Sequence, residues 1–568
     1  MPSQLDLAID ATIERLMAND GPLAVTYAEK YGVQMPVFAK APGNMADYLA
    51  FFCATHADKE FLVDGDIRLS FAQTYGAARA LAGGLVEGHK LQKGERVGIA
   101  ARNSANWIIA YMAIVMAGGV ATLLNGWWQG GELAEGIRMV GCRFVLADEQ
   151  RAARMAGQDI GDCELLIIKH DSLPLDGLSV MTAKGGGAET ALPTIDPLDN
   201  ATILYTSGST GQSKGAVSDH RAVVQGAMSY VGQTLVFFEL MSASGQSMPA
   251  QPSALVNVPL FHVTASIPLV LQSFAIGRKL VLMPKWSATE AMRLIEAEKV
   301  TISAGVPTIW MALIQHVEQN KLKFSTMKRT AVGGSAMPTA LIAKFNDDYG
   351  VEVRHGWGMT ETTAVATMSS MTPAQRAMPA ADRHALVGKQ GRSVFGVEIK
   401  VVDEEGNTLP RDGTSQGELM VRGQWIISGY YKGENSPLVN GWFPTGDIAT
   451  IDAQGVMQIR DRTKDVIKTG GEWISSIDLE NAAIAHPAVA MAAVIGVKHP
   501  KWDERPLMFV VRKPGQSVEK EEILSFLETK VAKWWVPDDV IFLESLPVGG
   551  TGKVQKGDLR KTYGGVFS

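Results

Sequence analysis

Cysteine is nearly missing from this sequence: Cys53, Cys142 and Cys163 are the only three among 568 residues. Their spacing matches no metal-ligand motif. So few exclude a disulfide framework and point to a reducing compartment, with all three as core fillers. A cytoplasmic location is therefore expected. Excess charge is missing too. A net charge of −6 and a pI near 6.0 leave no basic footprint for nucleic acid or an anionic membrane. Met1 to Leu23 carry Asp6, Asp10 and Glu14 and no basic start before an apolar run, so a signal peptide is not expected. One uncharged stretch, Asn103 to Gly131, is long enough to span a bilayer. Gly118-Gly119 splits it into a helix, Ala105 to Ala117, and a strand, Val120 to Leu124. With the strand that starts at Arg96 it forms a buried strand–helix–strand unit. No transmembrane segment is expected.

What is present in quantity is alternation. The 46% hydrophobic and 20% charged content is that of a soluble globular protein, and the length asks for two or more domains. Residues 1 to about 60 read as helical and peripheral. Phe61 to Val63 and Ile67 to Ser70 then predict a hairpin, Gln73 to Glu87 a helix, and Cys142 to Ala147 and Leu165 to Lys169 strands. Ala152 to Gly187 contains loose Gly/Ala-rich text, expected as an exposed connection. Short strands resume at Ala254, Lys279, Val300 and Lys328, so a mostly parallel sheet covered by helices is expected. From about 385 to 460, acidic turns and frequent glycines predict a β-rich subdomain. The expected division is an α/β N-terminal domain, 1–460, a charged hinge, 461–465, and a small mobile α+β domain, 466–568.

Between the strand Ala201 to Leu204 and an expected helix, Ala216 to Ala227, lies Tyr205-Thr206-Ser207-Gly208-Ser209-Thr210-Gly211-Gln212-Ser213-Lys214-Gly215. Glycines let backbone N–H groups approach an anion, hydroxyls donate to phosphate oxygens, and a lysine adds a point charge. Such a loop wraps a triphosphate, although Ser/Gly-rich text also makes linkers. It is not the G-x-x-x-x-G-K-S/T phosphate loop.

The loop closely resembles the T-S-G-S/T-T-G-x-P-K-G segment of the adenylate-forming superfamily of acyl-CoA synthetases, peptide-synthetase adenylation domains and luciferases. Ser213 stands where that family usually has proline, which removes no phosphate donor. His355-Gly356-Trp357-Gly358-Met359-Thr360-Glu361 resembles the Y-G-x-T-E motif, with Trp357 for the common tyrosine. By residue type, an exposed aromatic between glycines can stack on a base, and a carboxylate suits Mg²⁺. A tight turn around a packed tryptophan reads equally well. The resemblance implies that Glu361 is the magnesium ligand, with Thr206 or Ser207 assisting. It also implies that Thr360 takes part in catalysis, and that Gly334, Ser335, Gly356, Trp357, Gly358 and Met359 line the nucleotide. Asp447 in Thr445-Gly446-Asp447 matches the ribose-binding aspartate, and Arg462 the arginine that joins it; alone, such a tripeptide is usually a turn.

Val258-Pro259-Leu260-Phe261-His262 matches P-L-x-H, which implies His262 beside the acyl carboxylate and at the entry to its pocket. Val263, Trp310, Gly333 and Gly334 are expected as walls. These segments are small and apolar, with no arginine or lysine among them, which suits a hydrocarbon tail. Gly549 to Lys556 resembles the family's late catalytic motif, with Lys553 as its lysine; Val548 and Gly549 depart from the basic residue and threonine usual there. Lys464 takes the hinge position. Lys468, Gly470, Gly471 and Trp473 match the segment beside the coenzyme A path. His499 to Pro506 and Ala532 to Trp534 point to the medium- and long-chain fatty acyl-CoA synthetase branch. The likeness runs from about 60 to 560 and implies ATP, Mg²⁺ and coenzyme A acting with a carboxylic acid. Aryl-CoA ligation and carrier-protein loading stand as alternatives, and a homodimer is compatible with it.

Overall fold

The computed structural model describes residues 4–30, 32–206, 213–243, 251–363, 365–371, 373–427, 429–433, 436–470, 472–548 and 554–567. Two open sheets form the body. One has seven strands in the order Gly429–Tyr430, Gly215–Asp219, Asn200–Tyr205, Val120–Leu123, Arg96–Ala100, Cys142–Asp148, Glu164–Ile168. Its pairs are parallel from Asn200–Tyr205 onward and antiparallel at the Gly215–Asp219 edge. The other has nine: Arg392–Ser393, Thr367–Met368, Glu352–Trp357, Arg329–Val332, Ile302–Gly305, Ser253–Val256, Lys279–Leu282, Glu60–Asp64, Ile67–Ser70. It is parallel from Glu352–Trp357 to Glu60–Asp64.

Parallel strands need apolar cover on both faces. Helix Ala105–Met116 supplies it, with all 12 residues buried. Trp107, Ile108 and Met112 share one core with Ile99 and Leu123 of the first sheet and Phe61 and Val256 of the second. Each such side chain contributes roughly 1.5–3 kcal/mol by leaving water. Among the described residues no helix is long and apolar enough to cross a membrane.

Three segments differ from the sequence reading. Residues 1 to about 60 are not simply helical: between helices Gln4–Met17 and Met45–Thr55, Val25–Lys30 and Val33–Phe38 form an antiparallel hairpin. It buries Met35, Val37 and Phe38, and the Phe38 N–H donates to Gln225 Oε1 of the long helix His220–Ala243 at 2.8 Å. Docking against that helix supports a two-stranded element that is marginal alone. Within 152–187 the expected strand is present as the edge strand Glu164–Ile168, but the connection is not simply exposed, since Leu178 and Met181 are fully buried. Third, Gly215–Asp219 is a buried strand, and the helix after it starts only at His220. The serine/glycine loop thus joins two antiparallel strands instead of opening a helix. Burial forces the backbone N–H and C=O groups of Gly215–Asp219 into ladders on both sides.

Val397–Val402, Gly417–Gly423, Phe443–Ile451 and Met457–Arg462 form a four-stranded antiparallel sheet. Its outermost strand meets the nine-stranded sheet at Gly391, whose carbonyl accepts from the Met457 N–H at 2.7 Å. The C-terminal sheet runs Glu472–Ile474, Ile467–Thr469, Asp503–Arg512, Val489–His499, with Asp539–Phe542 parallel to Asp503–Arg512. Helix Ser476–Ile484 covers one of its cores and Lys556–Tyr563 the other.

Gly391 has φ +78°, and a Cβ there would lie 2.0 Å from the Met368 carbonyl oxygen. Gly391→Ala is therefore expected to destabilise by about 1–3 kcal/mol from backbone strain, with displacement of the joint added. Thermal denaturation checks it: a wild-type melting temperature would disprove the account.

Candidate functional site

The Thr206 N–H donates to the Lys214 carbonyl at 2.9 Å and closes the loop. Ser207, Gly208, Ser209, Thr210 and Gly211 lie outside the described residues. The exposed Lys214 holds its ammonium 5.0 Å from the centre of the Tyr430 ring. Tyr430 in turn donates its hydroxyl to Glu361 Oε1 at 2.8 Å. Glu361 sits on the short turn Thr360–Thr362, only 6% exposed, and its carbonyl accepts from the Ile427 N–H at 2.9 Å. Burial pushes its carboxyl pKa up; the Tyr430 hydrogen bond opposes this. Among the described residues no three His, Cys, Asp or Glu cluster as a metal site. A lone carboxylate such as Glu361 still fits Mg²⁺, which takes one or two carboxylates and fills its shell with phosphate oxygens and water.

Beside this ladder stands a second one. Trp357 ends the strand Glu352–Trp357 and is buried, not the exposed stacking aromatic allowed for above. Its indole N–H donates to Asp447 Oδ2 at 2.7 Å. Arg462 Nε lies 3.2 Å from Asp447 Oδ1, because the two residues are register partners in the four-stranded sheet. Asp447 lies inside the strand Phe443–Ile451. A buried carboxylate held on both sides is aimed as well as neutralised. Gly356 is buried, and Gly358, Met359 and Thr360 are half-buried along the same edge. His355 places its ring nitrogens 3.0 Å from the Gly388 carbonyl and 3.3 Å from that of Ser335. It therefore pins the backbone next to Gly334, whose φ is +85°. Burial lowers the His355 pKa.

Two cavities meet here, sharing Thr264, Gly333 and Gly334 at the carboxyl ends of the parallel strands, where open sheets bind ligands. One, of about 550 Å³, is lined by His262, Phe261, Trp127, Arg102, Arg151 and Lys285. The other, about 840 Å³, runs between the long helix and the nine-stranded sheet. His262 Nδ1 accepts from the Thr264 N–H at 3.3 Å. Val263 and Trp310, expected as walls, line neither cavity: both are core residues, Trp310 packing edge-on against Phe345 at 5.9 Å. Val306 and Ile309 take the wall beside Trp310.

Lys464 lies on an exposed turn in which the Thr463 N–H donates to the Gly446 carbonyl at 3.0 Å. Three contacts cross this turn. The Ser476 N–H donates to Asp461 Oδ2 at 2.6 Å, Ser475 Oγ to the Arg460 carbonyl at 2.5 Å, and Arg460 pairs with Asp478 at 3.6 Å. Lys468 and Trp473 are register partners in the hairpin beyond it, and the Gly470 N–H donates to the Trp502 carbonyl at 2.9 Å. Gly471 and Lys553 lie outside the described residues. Three residues past Lys553, Lys556 is anchored to Glu480 at 2.7 Å and to Ser476 Oγ at 2.6 Å.

Comparison with known proteins decides the class. A model described as "AMP-binding enzyme" matches residues 49–431, and one described as "AMP-binding enzyme C-terminal domain" matches 478–553. The chain belongs to the AMP-binding enzyme family. The 3-methylmercaptopropionyl-CoA ligase of Ruegeria pomeroyi is 43% identical over 379 residues, 66% of this chain and 68% of that one. The long-chain-fatty-acid–CoA ligase of Thermus thermophilus is 35% identical over 532 residues, 92% and 95% of the two chains. Among solved structures, ATP-bound MatB from Rhodopseudomonas palustris superposes with a TM-score of 0.80 at 26% identity, covering 92% of this chain and all of that one.

In this AMP-binding enzyme, sequence reasoning missed Tyr430 and Asn103. Tyr430 meets Glu361 only because Ala216 pairs with it across the sheet edge. The signal that could have found it is the tyrosine pair in Gly429-Tyr430-Tyr431-Lys432-Gly433. Asn103 clamps the His262 segment, accepting from the Leu260 N–H and donating to the Val258 carbonyl, both at 2.8 Å.

Because its folded pKa is raised, Glu361 costs stability once pH rises above the ordinary carboxylate pKa of about 4.3. Glu361→Gln keeps an acceptor for Tyr430 and removes the charge. It is expected to melt higher than wild type at pH 7 to 8, with the gap closing as pH falls below about 4. Melting curves across that range that run parallel would refute the assignment.

Proposed function

We propose that this AMP-binding enzyme is an acyl-CoA ligase that activates a carboxylic acid in two steps. In the first, a carboxylate oxygen attacks the α-phosphorus of ATP, the bond to the bridging oxygen breaks, and pyrophosphate leaves. In the second, the thiol sulfur of coenzyme A attacks the acyl carbon, AMP leaves with the carboxylate oxygen, and the thiol proton passes to solvent. The acid is ionised at neutral pH and needs no base. Its difficulty is repulsion, answered by fixed cations and donors around the phosphates.

The observation that carries this reading is the pair of ladders, Lys214–Tyr430–Glu361 and Trp357–Asp447–Arg462, whose Trp357 lies between Gly356 and Gly358, two residues that line the larger cavity. Lys214 and the loop amides cradle the β- and γ-phosphates. Asp447 and Arg462 hold the ribose hydroxyls. Glu361, with Thr206 or Ser207, would hold Mg²⁺, which supplies charge neutralisation on the phosphates. Lys553 bridges carboxylate and α-phosphate in the first step. Turning the C-terminal domain about Lys464, across the 461–465 hinge, then withdraws it and brings Lys468, Gly470, Gly471 and Trp473 to the thiol's path. The acid is a hydrophobic one of medium or long chain. Three free cysteines, two of them buried, support a reducing compartment and a cytoplasmic location.

AMP and pyrophosphate release with coenzyme A, across straight-chain, branched and aromatic acids, tests the activity; silence with all of them would end it. Lys553→Ala is expected to lower adenylation by about 10²–10³-fold, the cost of one lost oxyanion donor, while thioester formation from supplied acyl-adenylate persists. Equal loss in both steps would remove Lys553 from its role. Lys464→Pro should retain adenylation and slow the second step, and an undiminished second step would count against the swivel.

A further inference from the structure

The larger cavity is not the uniformly apolar slot expected for a plain hydrocarbon. Its middle is lined by Phe237, Phe238, Leu269, Ile302 and Ala304. Among the described residues five cations nevertheless line it, Arg278, Lys299, Lys328, Arg329 and Arg354, and no carboxylate does. The strand register locates them. Ser253 pairs with Lys279, Ala254 with Ile302, and Ile302 with Arg329. Lys279, Thr301 and Lys328 therefore stand level at the amino ends of neighbouring parallel strands, and Arg278 comes one residue before Lys279. Gly333 and Gly334 follow the carboxyl end of Arg329–Val332, where the two cavities meet. From one end to the other is on the order of 15 Å at about 3.3 Å per residue.

Arg278 is the telling member. It is 6% exposed, and one terminal nitrogen donates to Gln272 Oε1 at 3.2 Å. The Gln272 amide is itself held by Thr234 Oγ1 at 2.8 Å and the Tyr230 carbonyl at 2.9 Å. Arg278 Nε has no hydrogen-bond partner, and Arg278 forms no ion pair among the described residues. The neighbouring segment 244–250 contains no Asp or Glu in its sequence. Burial alone acts on this guanidinium and pulls its pKa down to about 10. Arg354 has an unpartnered Nε as well, and its nearest carboxylate, Glu352 at 3.7 Å, is shared with Arg329 and Arg376. A buried cation without a counter-charge is costly. An acceptor supplied by a ligand would offset that cost.

We propose that the far end of this cavity receives an oxygen acceptor on the tail of the acid, a second carboxylate above all, and that Arg278 selects for it. This deepens the ligase reading and rests on it. The acid it describes is apolar along its middle and polar at both ends. A site built to hydrogen-bond a substrate group rejects the analogue that lacks it far more strongly than an apolar slot rejects an extra methylene.

The test measures kcat/KM for pyrophosphate release with straight-chain acids of matched lengths ending in methyl, hydroxyl or carboxylate. Wild type, Arg278→Met and Arg278→Lys are compared, with melting curves to confirm folding. At the chain length that spans the cavity, wild type is expected to favour the carboxylate-ended acid over the methyl-ended one by about tenfold or more. Arg278→Met should erase that ratio and Arg278→Lys keep part of it. Turnover of methyl-ended acids with no wild-type preference at any length, or an unchanged ratio in folded Arg278→Met, overturns the assignment and leaves the ligase reading standing. No pyrophosphate from any acid overturns both.

Discussion

The pairing of Gly215–Asp219 with Gly429–Tyr430 is the constraint on which the site depends. The phosphate-type loop belongs to the seven-stranded sheet, whereas Glu361 follows a strand of the nine-stranded one. Gly429 and Tyr430, added to the edge of the first sheet, bring them together. The Tyr431 N–H bond to the Gly215 carbonyl, at 2.8 Å, fixes the strand, and the Tyr430 hydroxyl then reaches the carboxylate. The same backbone that closes the loop therefore aims the carboxylate beside it.

Around this pairing the protein accumulates charge that burial penalises. Among the described residues, Glu361 is buried with a hydroxyl and no cation hydrogen-bonded to it, and Arg278 is buried with no carboxylate paired to it. Asp447 differs: Arg462 and Trp357 compensate it within the chain. The physical contrast follows function. On the proposed reading, Asp447 can be satisfied in advance because it would present an acceptor to neutral hydroxyls. Groups proposed to meet a charged partner are left short of one, and stability is given up for that.

The C-terminal sheet carries its own two cores and, among the described residues, joins the body through polar contacts that include those at Arg460 and Asp461. Small polar junctions of this kind can be broken and remade at low cost, whereas a shared apolar core cannot. Lys556, anchored inside the small domain, ties the nearby lysine loop to that domain.

The sequence by itself determined the α/β class, the apolar cover helix, the β-rich segment and the motif residues, because each depends on local period or on a short run of fixed residue types. It misjudged Gly215–Asp219, whose apolar text suits helix and strand alike until a second ladder at Tyr430 selects the strand. It also took Trp310 for a wall, since a tryptophan near a strand end looks the same whichever way it faces. Only tertiary structure could show that Lys214, Tyr430 and Glu361 stand in line, or that cations from residues 278 to 354 ring one apolar cavity. Those are contacts between separate strands. Their register is set by whole sheets packing on a common core, and no window of sequence contains that information.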